Sequence, residues 1–211
     1  METLDLVQGS PEWIAARVGS LGASRVADAL AKTKSGWGAS RANLMAALIC
    51  ERLTGQPQDT FTNAAMEWGT QQEPQARLAY EFQTSADVAQ VGIVKHPHIA
   101  GTHASPDGLV GDDGMVEIKC PNTATHIETL LGEPIAGKYI TQMQWQMACT
   151  GRAWVDFVSY DPRLPVDMQL FIQRVRRDGA TIASMEREVS AFLIELDEKI
   201  AALNAKYKVA A

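Results

Sequence analysis

The sequence predicts an α/β domain with a mixed central β-sheet flanked by helices on both sides. Three observations carry this. Helical spacing with cap residues fills 10–82. Short runs rich in Val, Ile, Phe and Tyr, bounded by Gly, Pro and Asp, alternate with helical stretches over 88–175. A closing apolar stripe (Met185, Val189, Phe192, Leu193, Leu196, Ile200, Leu203) marks an amphipathic helix over 181–207. At 211 residues one domain is expected over 1–211, made of these three parts.

In order, Ser10 and Pro11 suit the cap and first position of a helix whose Trp13 and Ile14 face inward, with Arg17 one turn on. Gly19 to Gly22 breaks it, and Ser24 is a natural cap for a second helix, Arg25 to Ala31. The stretch 31–40 is a Gly/Ser-rich loop. Lys32, Lys34 and Arg41 interleaved with Trp37 make it a candidate DNA-binding loop; a plain connector is the alternative. A helix over 41–53 ends at Gly55. A long helix spans Phe61 to Phe82, with a break near Gly69 and a start near Glu73-Pro74. Ala76, Leu78, Ala79, Tyr80 and Phe82 supply its packing face.

Val88 to Lys95 reads as a strand, and His96-Pro97-His98 as a surface turn. The segment 105–121, S-P-D-G-L-V-G-D-D-G-M-V-E-I-K-C-P, reads as a β-hairpin ended by Pro121. Glu117 and Lys119 share one face of its second strand, and Ile118 points the other way into a core. Whether Asp107 joins that face depends on the turn. A loop of Asp112-Asp113-Gly114, with Gly114 left-handed, pairs Gly111 with Met115 and puts Asp107 there. A two-residue Asp112-Asp113 loop puts it on the opposite face, and the Ser-Pro-Asp-Gly turn can take it out of the ladder. The Gly after two Asp favours the first.

Helices follow over 122–131 and 139–150. Gln142 and Gln146 lie on adjacent turns of the second, where an inward glutamine must find partners; Gln144 reads as an exposed polar position. Strands over 153–160 and 166–174 precede the last helix. Arg174, Arg176 and Arg177 face either DNA or a neighbouring subunit.

Two carboxylates and an ammonium in one cluster suggest a cation. Mg²⁺ suits Asp107 and Glu117, with the Ile118 backbone carbonyl as a third oxygen. Lys119 beside it could orient or help deprotonate a water, or stabilise charge on phosphorus. The plainer alternative is an exposed strand with a Glu/Lys pair.

Composition sets bounds. Apolar content of 46% and charged content of 21% suit an ordinary globule. No run of about 18 apolar residues predicts a membrane span, and Met1 to Val7 is too short and acidic for a signal peptide. Cys50, Cys120 and Cys149 are odd in number and lack metal spacing, which suggests reduced thiols in a cytosolic protein. The four His form no zinc pattern. The net charge of −6 argues mildly against nucleic acid, though a narrow channel needs positive charge only locally.

P-D-G…E-I-K resembles the PD-(D/E)XK nuclease pattern. More narrowly, S-P-D-G-L…G-x-x-E-I-K-C-P is similar to the phage lambda-type 5′→3′ alkaline exonucleases, the YqaJ-like viral recombinases. Further matches run from about Gln8 to Leu203: W-x-x-x-R…A-S, W-G-x-x-x-E, Y-x-x-Q-x-Q and Y-D-P-R.

The resemblance implies a PD-(D/E)XK nuclease-like core. The activity implied is Mg²⁺-dependent, processive 5′→3′ degradation of one strand of linear duplex DNA, leaving a 3′ overhang for recombination by strand annealing. One or two Mg²⁺ would serve, and Mn²⁺ could substitute. Asp107, Glu117, Lys119, Gln142 and Glu73 would form the catalytic set, Glu73 as a direct or water-mediated metal ligand and Gln142 holding the lysine or its water. Arg17 and Ser24 would bind the 5′-phosphate, by guanidinium and by helix N-terminus. Implied partners are duplex DNA ends, a homotrimeric ring and a single-strand annealing protein, in the cytoplasm of a bacterial host with a phage or prophage origin. A structure-specific or restriction-type endonuclease is the alternative on this core, and an idle DNA-binding scaffold another.

Overall fold

The computed structural model describes residues 2–34, 36–58 and 64–207. Its elements in chain order are β1 (Thr3–Leu4), α1 (Pro11–Arg17), β2 (Leu21–Gly22), α2 (Val26–Ala29), β3 (Lys32–Thr33), β4 (Gly36–Trp37), α3 (Ala39–Thr54), α4 (Ala64–Thr84), β5 (Val88–Ala89), β6 (Ile93–Lys95), β7 (Thr102–Ala104), β8 (Gly108–Val110), β9 (Gly114–Lys119), α5 (Thr123–Leu130), α6 (Gly137–Thr150), β10 (Trp154–Tyr160), β11 (Leu170–Arg176) and α7 (Gly179–Tyr207).

The mixed sheet expected from the sequence has the order β11-β10-β9-β8-β5. Its central pair, β9 and β10, is parallel, and its other pairs are antiparallel. A second sheet runs β1-β6-β7-β2, and β3-β4 is a small ribbon. Alternation along β9 serves two cores. Met115 joins Met143, Met147, Val155, Phe192 and Leu196 from α6, β10 and α7. Val116 and Ile118 join Ala76 and Tyr80 of α4 with Val158 and Tyr160. Helices therefore cover both faces of the sheet. The buried Tyr80 hydroxyl donates to Asp156 at 2.9 Å.

Some local signals hold. Ser10 accepts from the Trp13 N–H, Asn122 caps α5, and Gly55 and Gly151 end α3 and α6 in the left-handed region. Several expectations are corrected. α4 runs unbroken through Gly69 and Pro74. Proline removes one i→i−4 bond, and the buried Ala76 and Tyr80 keep the helix docked. Its expected start at Phe61 lies outside the described residues. Leu78 and Phe82 are 66% and 91% exposed rather than packed.

The expected strand 88–95 splits into β5 and β6, which join different sheets. Gly92 lies between them against the N-terminal chain, where a Cβ would sit 2.4 Å from the Leu4 carbonyl oxygen. Within the expected loop 31–40, Lys32–Thr33 and Gly36–Trp37 pair as the β3-β4 ribbon. The last strand of the sheet begins at Leu170, because 166–168 forms a 3₁₀ turn. Ile14 is exposed, while His96 is buried and stacks on Trp145 at 5.1 Å. Gln144 is also buried: its amide donates to the Arg176 carbonyl and its oxygen accepts from the Asp178 N–H.

Two of the three arginines at the end of β11 work inside the fold. Arg174 grips Asp156 with two bonds of 2.8 and 2.9 Å and lies 3.5 Å over the Trp154 ring. Arg177 donates to the Met147 carbonyl. No helix among the described residues is long and apolar enough to cross a membrane. Cys50, Cys120 and Cys149 are free thiols.

Candidate active site

The β8-β9 hairpin positions the first cluster. Its register pairs Val110 with Gly114, Leu109 with Met115 and Gly108 with Val116. One step further puts Asp107 opposite Glu117, and the Asp107 Oδ2 accepts from the Ile118 N–H at 2.6 Å. The sequence favoured a loop of 112–114 with Gly114 left-handed. Instead the loop is 111–113, and Gly111 carries the positive φ, 51°. Gly114 is a strand residue because the Trp154 ring fills the space of a side chain, 2.0 Å from an ideal Cβ. The two registers differ by two residues, so Asp107 keeps the expected face.

Glu117 is fully buried on the α6 side of the sheet. A buried carboxylate needs a counter-charge and hydrogen bonds to both oxygens. Lys119 pairs with Oε1, which also accepts from the Gln142 amide at 2.6 Å. Oε2 accepts from the Gln146 amide at 2.5 Å. Gln142 and Gln146 are four apart on α6, so one helix face serves both oxygens. Sequence reasoning assigned no role to Gln146; its signal is that i, i+4 repeat inside an apolar frame. The Gln146 Oε1 itself has no partner.

Glu73 projects from α4 toward the same centre, where its Oε1 accepts from Arg77 at 2.5 Å. Burial pushes the Asp107 carboxyl well above the ordinary range, and repulsion from Glu117 and Glu73 adds to it; Lys119 and the Ile118 N–H oppose the shift. Glu73 is raised by burial and by Glu117, against Arg77 and Lys119. For Lys119 burial acts to lower the pKa, but Glu117 and Asp107 outweigh it, so the ammonium is held charged more firmly than usual. The Cys120 thiol is pushed up to about 12 by burial and then by Glu73 and Asp107. The cluster is therefore a crowded acid site in which Lys119 and Arg77 offset part of the repulsion and protons or a metal relieve the rest.

Among the described residues no group of three or more His, Cys, Asp or Glu stands ready to hold a metal ion. Asp107 and Glu117 supply two hard carboxylates. A strand residue's N–H and C=O leave on one edge, so the Ile118 carbonyl shares the edge that Asp107 occupies. Two carboxylates, a carbonyl and water form a donor set that fits Mg²⁺. Glu73 is engaged by Arg77 and would join only by release or through water.

A small pocket of about 110 Å³ adjoins the cluster, lined by Gln8, Trp13, Arg17, Gly22, Ala23, Ser24, His103, Ser105 and Gln142. Gln142 belongs to both. Arg17 stacks 3.8 Å over the Trp13 ring, and its Nε donates to the His103 Nε2 at 3.2 Å. The Trp13 indole N–H and the Ser105 hydroxyl are buried without a partner. These donors around a guanidinium suit an oxyanion. Ser24 lines the pocket, but not as a helix cap: it sits inside a 3₁₀ turn (Ala23–Arg25), and α2 starts after Arg25 with no side-chain cap. Sequence reasoning missed His103, Ser105 and the indole N–H. Trp13 and Arg17 are i, i+4 on α1, but nothing local marks His103 or Ser105, which are far from Arg17 in sequence; the β2-β7 pairing carries His103 to it.

The candidate DNA-binding loop is largely tied down. Lys32 pairs with Glu188 at 2.8 Å, and Arg41 is buried against Glu195 at 2.7 Å, with Trp37 4.1 Å from its guanidinium. Arg41 is thus a packing residue: a buried guanidinium stays where a carboxylate and ring faces hold it. Lys34 and Trp37 are exposed.

Comparison with protein-family models matches residues 12–153 to the YqaJ-like viral recombinase domain. No curated protein matches. Among solved structures, the chain is similar to an alkaline exonuclease, LHK-Exo, from Laribacter hongkongensis, with 57% identity, 95% of this chain and 100% of that chain covered, and a TM-score of 0.88. The same exonuclease in complex with dAMP matches with a TM-score of 0.89 at equal identity and coverage. A phage-related exonuclease from Haemophilus somnus 129PT shares the fold at 14% identity, 87% and 96% coverage and a TM-score of 0.66.

Proposed function

The chain belongs to the YqaJ-like viral recombinase family, and from that premise we propose that it is a metal-dependent 5′→3′ exonuclease acting on linear duplex DNA, leaving a 3′ single-stranded overhang for recombination by strand annealing. The observation that carries this is the Glu117 network. A fully buried carboxylate, faced by Asp107 and an ammonium, opens through Gln142 onto a separate anion pocket.

Asp107, Glu117 and the Ile118 carbonyl hold Mg²⁺, singly or as a pair, and Mn²⁺ can replace it. Bound there, the ion supplies Lewis acidity and lowers the pKa of a water. Lys119 orients that water and offsets charge gathering on phosphorus. Gln142 and Gln146 fix the Glu117 carboxylate so that it does not turn away from the reacting centre. Glu73 adds negative charge from the α4 side. Arg17, Ser24, Ser105 and the Trp13 N–H hold the terminal 5′-phosphate.

Water attacks the first internal phosphorus and the bond to the 3′ oxygen of the terminal nucleotide breaks. The products are a 5′-mononucleotide and a strand that again ends in a 5′-phosphate. Each turnover thus regenerates the group the Arg17 pocket holds, which favours processive action. The 57%-identical relative was captured with dAMP, a mononucleotide of that product class. As part of the same proposal the chain works as a homotrimeric ring beside an annealing protein, in a bacterial cytoplasm and from a phage or prophage. A ring holds DNA by topology, in keeping with a net charge of −6.

Linear and closed circular duplexes, each incubated with Mg²⁺ and with a chelator, test this reading. Loss of linear DNA alone, with Mg²⁺ alone, is expected. Cutting of the circle would favour an endonuclease, and no cutting at all an idle scaffold.

A further inference from the structure

We propose that His103 is a positioning residue for the end-phosphate pocket, holding the Arg17 guanidinium by its Nε so that both terminal nitrogens face the phosphate; this rests on the reading of that pocket given above. The Arg17 Nε donates to the His103 Nε2 at 3.2 Å, so Nε2 is the accepting nitrogen. Nδ1 must then carry the ring proton, and it meets the Ser20 hydroxyl at 2.8 Å. Arg17, which can only donate, thereby selects the tautomer, and the Ser20 hydroxyl accepts from Nδ1–H and holds the ring in place. The ring is buried, and the Trp13 ring stacks on the same guanidinium at 3.8 Å.

Among the described residues the Arg17 terminal nitrogens have no protein partner. Glu51, whose charge reaches Arg17, makes no ion pair with it and accepts instead from the Gly19 N–H at 2.7 Å. The choice of partner matters. A carboxylate on Nε would cancel part of the charge a phosphate needs, whereas a neutral imidazole fixes direction and leaves the charge whole. Burial, and then Arg17 itself, holds the imidazole pKa down to about 4, so the ring remains an acceptor at working pH. Gly22 closes the contact: a Cβ there would lie 3.2 Å from the His103 Nε2 and 3.5 Å from the Arg17 Nη2.

The test compares initial rates on two linear duplexes of one sequence, 5′-phosphorylated and 5′-hydroxyl. The readout is the ratio of the two rates, which a general loss of folded protein does not move. Arg17→Ala sets the reference for a lost grip. His103→Phe, which keeps a ring but no acceptor, should lower the ratio about tenfold, the size expected for one charge-assisted bond. His103→Gln, which returns an acceptor near the Nε2 position, should restore most of it. Ser20→Ala, which leaves Nδ1–H without its acceptor and loosens the ring without altering it, should lower the ratio by less, and it stands in if His103→Phe does not fold. An unchanged ratio in His103→Phe, or in Ser20→Ala standing in for it, while Arg17→Ala abolishes the preference, would overturn the positioning role and leave the pocket intact. An unchanged ratio in Arg17→Ala would overturn both.

Discussion

Gln146 donates its amide to the Glu117 Oε2 at 2.5 Å, one helical turn from the Gln142 that holds Oε1. A carboxylate with no exposure thus has each oxygen assigned. Truncating Gln146 to Leu strands Oε2 but also removes the unpartnered Gln146 Oε1, and the two effects partly offset. We expect a loss of about 1–2 kcal/mol in urea unfolding and a fall in turnover larger than the fall in DNA-end affinity. Wild-type turnover in Gln146→Leu would mean Glu117 needs no second clamp.

Lys119 is the single ammonium paired with Glu117 among the described residues. Lys119→Ala should abolish strand degradation while leaving binding to DNA ends largely intact, measured by fluorescence anisotropy on a labelled duplex. Normal cutting by this variant would remove Lys119 from the chemistry.

His103 links the Arg17 pocket to acid stability. Its pKa is pushed down to about 4, by burial and then by Arg17, against an ordinary value near 6.5. The folded state therefore binds fewer protons than the unfolded chain between these values. The stability concerned is complete above about 6.5 and is lost as pH falls toward 4. At pH 5 the loss amounts to about 2 kcal/mol. Urea unfolding of wild type and His103→Gln at pH 7 and pH 5 should show wild type losing about that much more. Parallel losses would contradict it.

Gly114 sets the hairpin that pairs Asp107 with Glu117. An added methyl meets the Trp154 ring at 2.0 Å, and both neighbours are fixed in β-ladders. Gly114→Ala should cost about 1–3 kcal/mol and reduce activity. Gly111→Ala has no such clash but is strained by its positive φ of 51°, so its cost should be smaller, about 1 kcal/mol.

What was legible in the sequence was local. The Ser10 cap, the Gly55 stop and the face shared by Glu117 and Lys119 each follow from residues within a few positions. The Asp107 face was also legible, because the favoured register and the real one differ by an even step. Long-range pairs were not. Arg41 looked like a DNA contact, yet its partner, Glu195, lies 154 positions away. Gln144 looked exposed, and its partners sit at the end of β11 and just after it, 32 and 34 positions away. The periodicity of α4 was readable, but not how narrow its docked face is. Ala76 and Tyr80 pack there while Leu78 and Phe82 do not.

The most direct measurement follows a linear duplex labelled on one strand at either its 5′ or its 3′ terminal nucleotide, with Mg²⁺ and with a chelator. The account predicts immediate release of the 5′ label as a mononucleotide, retention of the 3′ label in a shortening strand, and neither change under chelation. Early release of the 3′ label, internal fragments, or equal degradation without a divalent ion would contradict it.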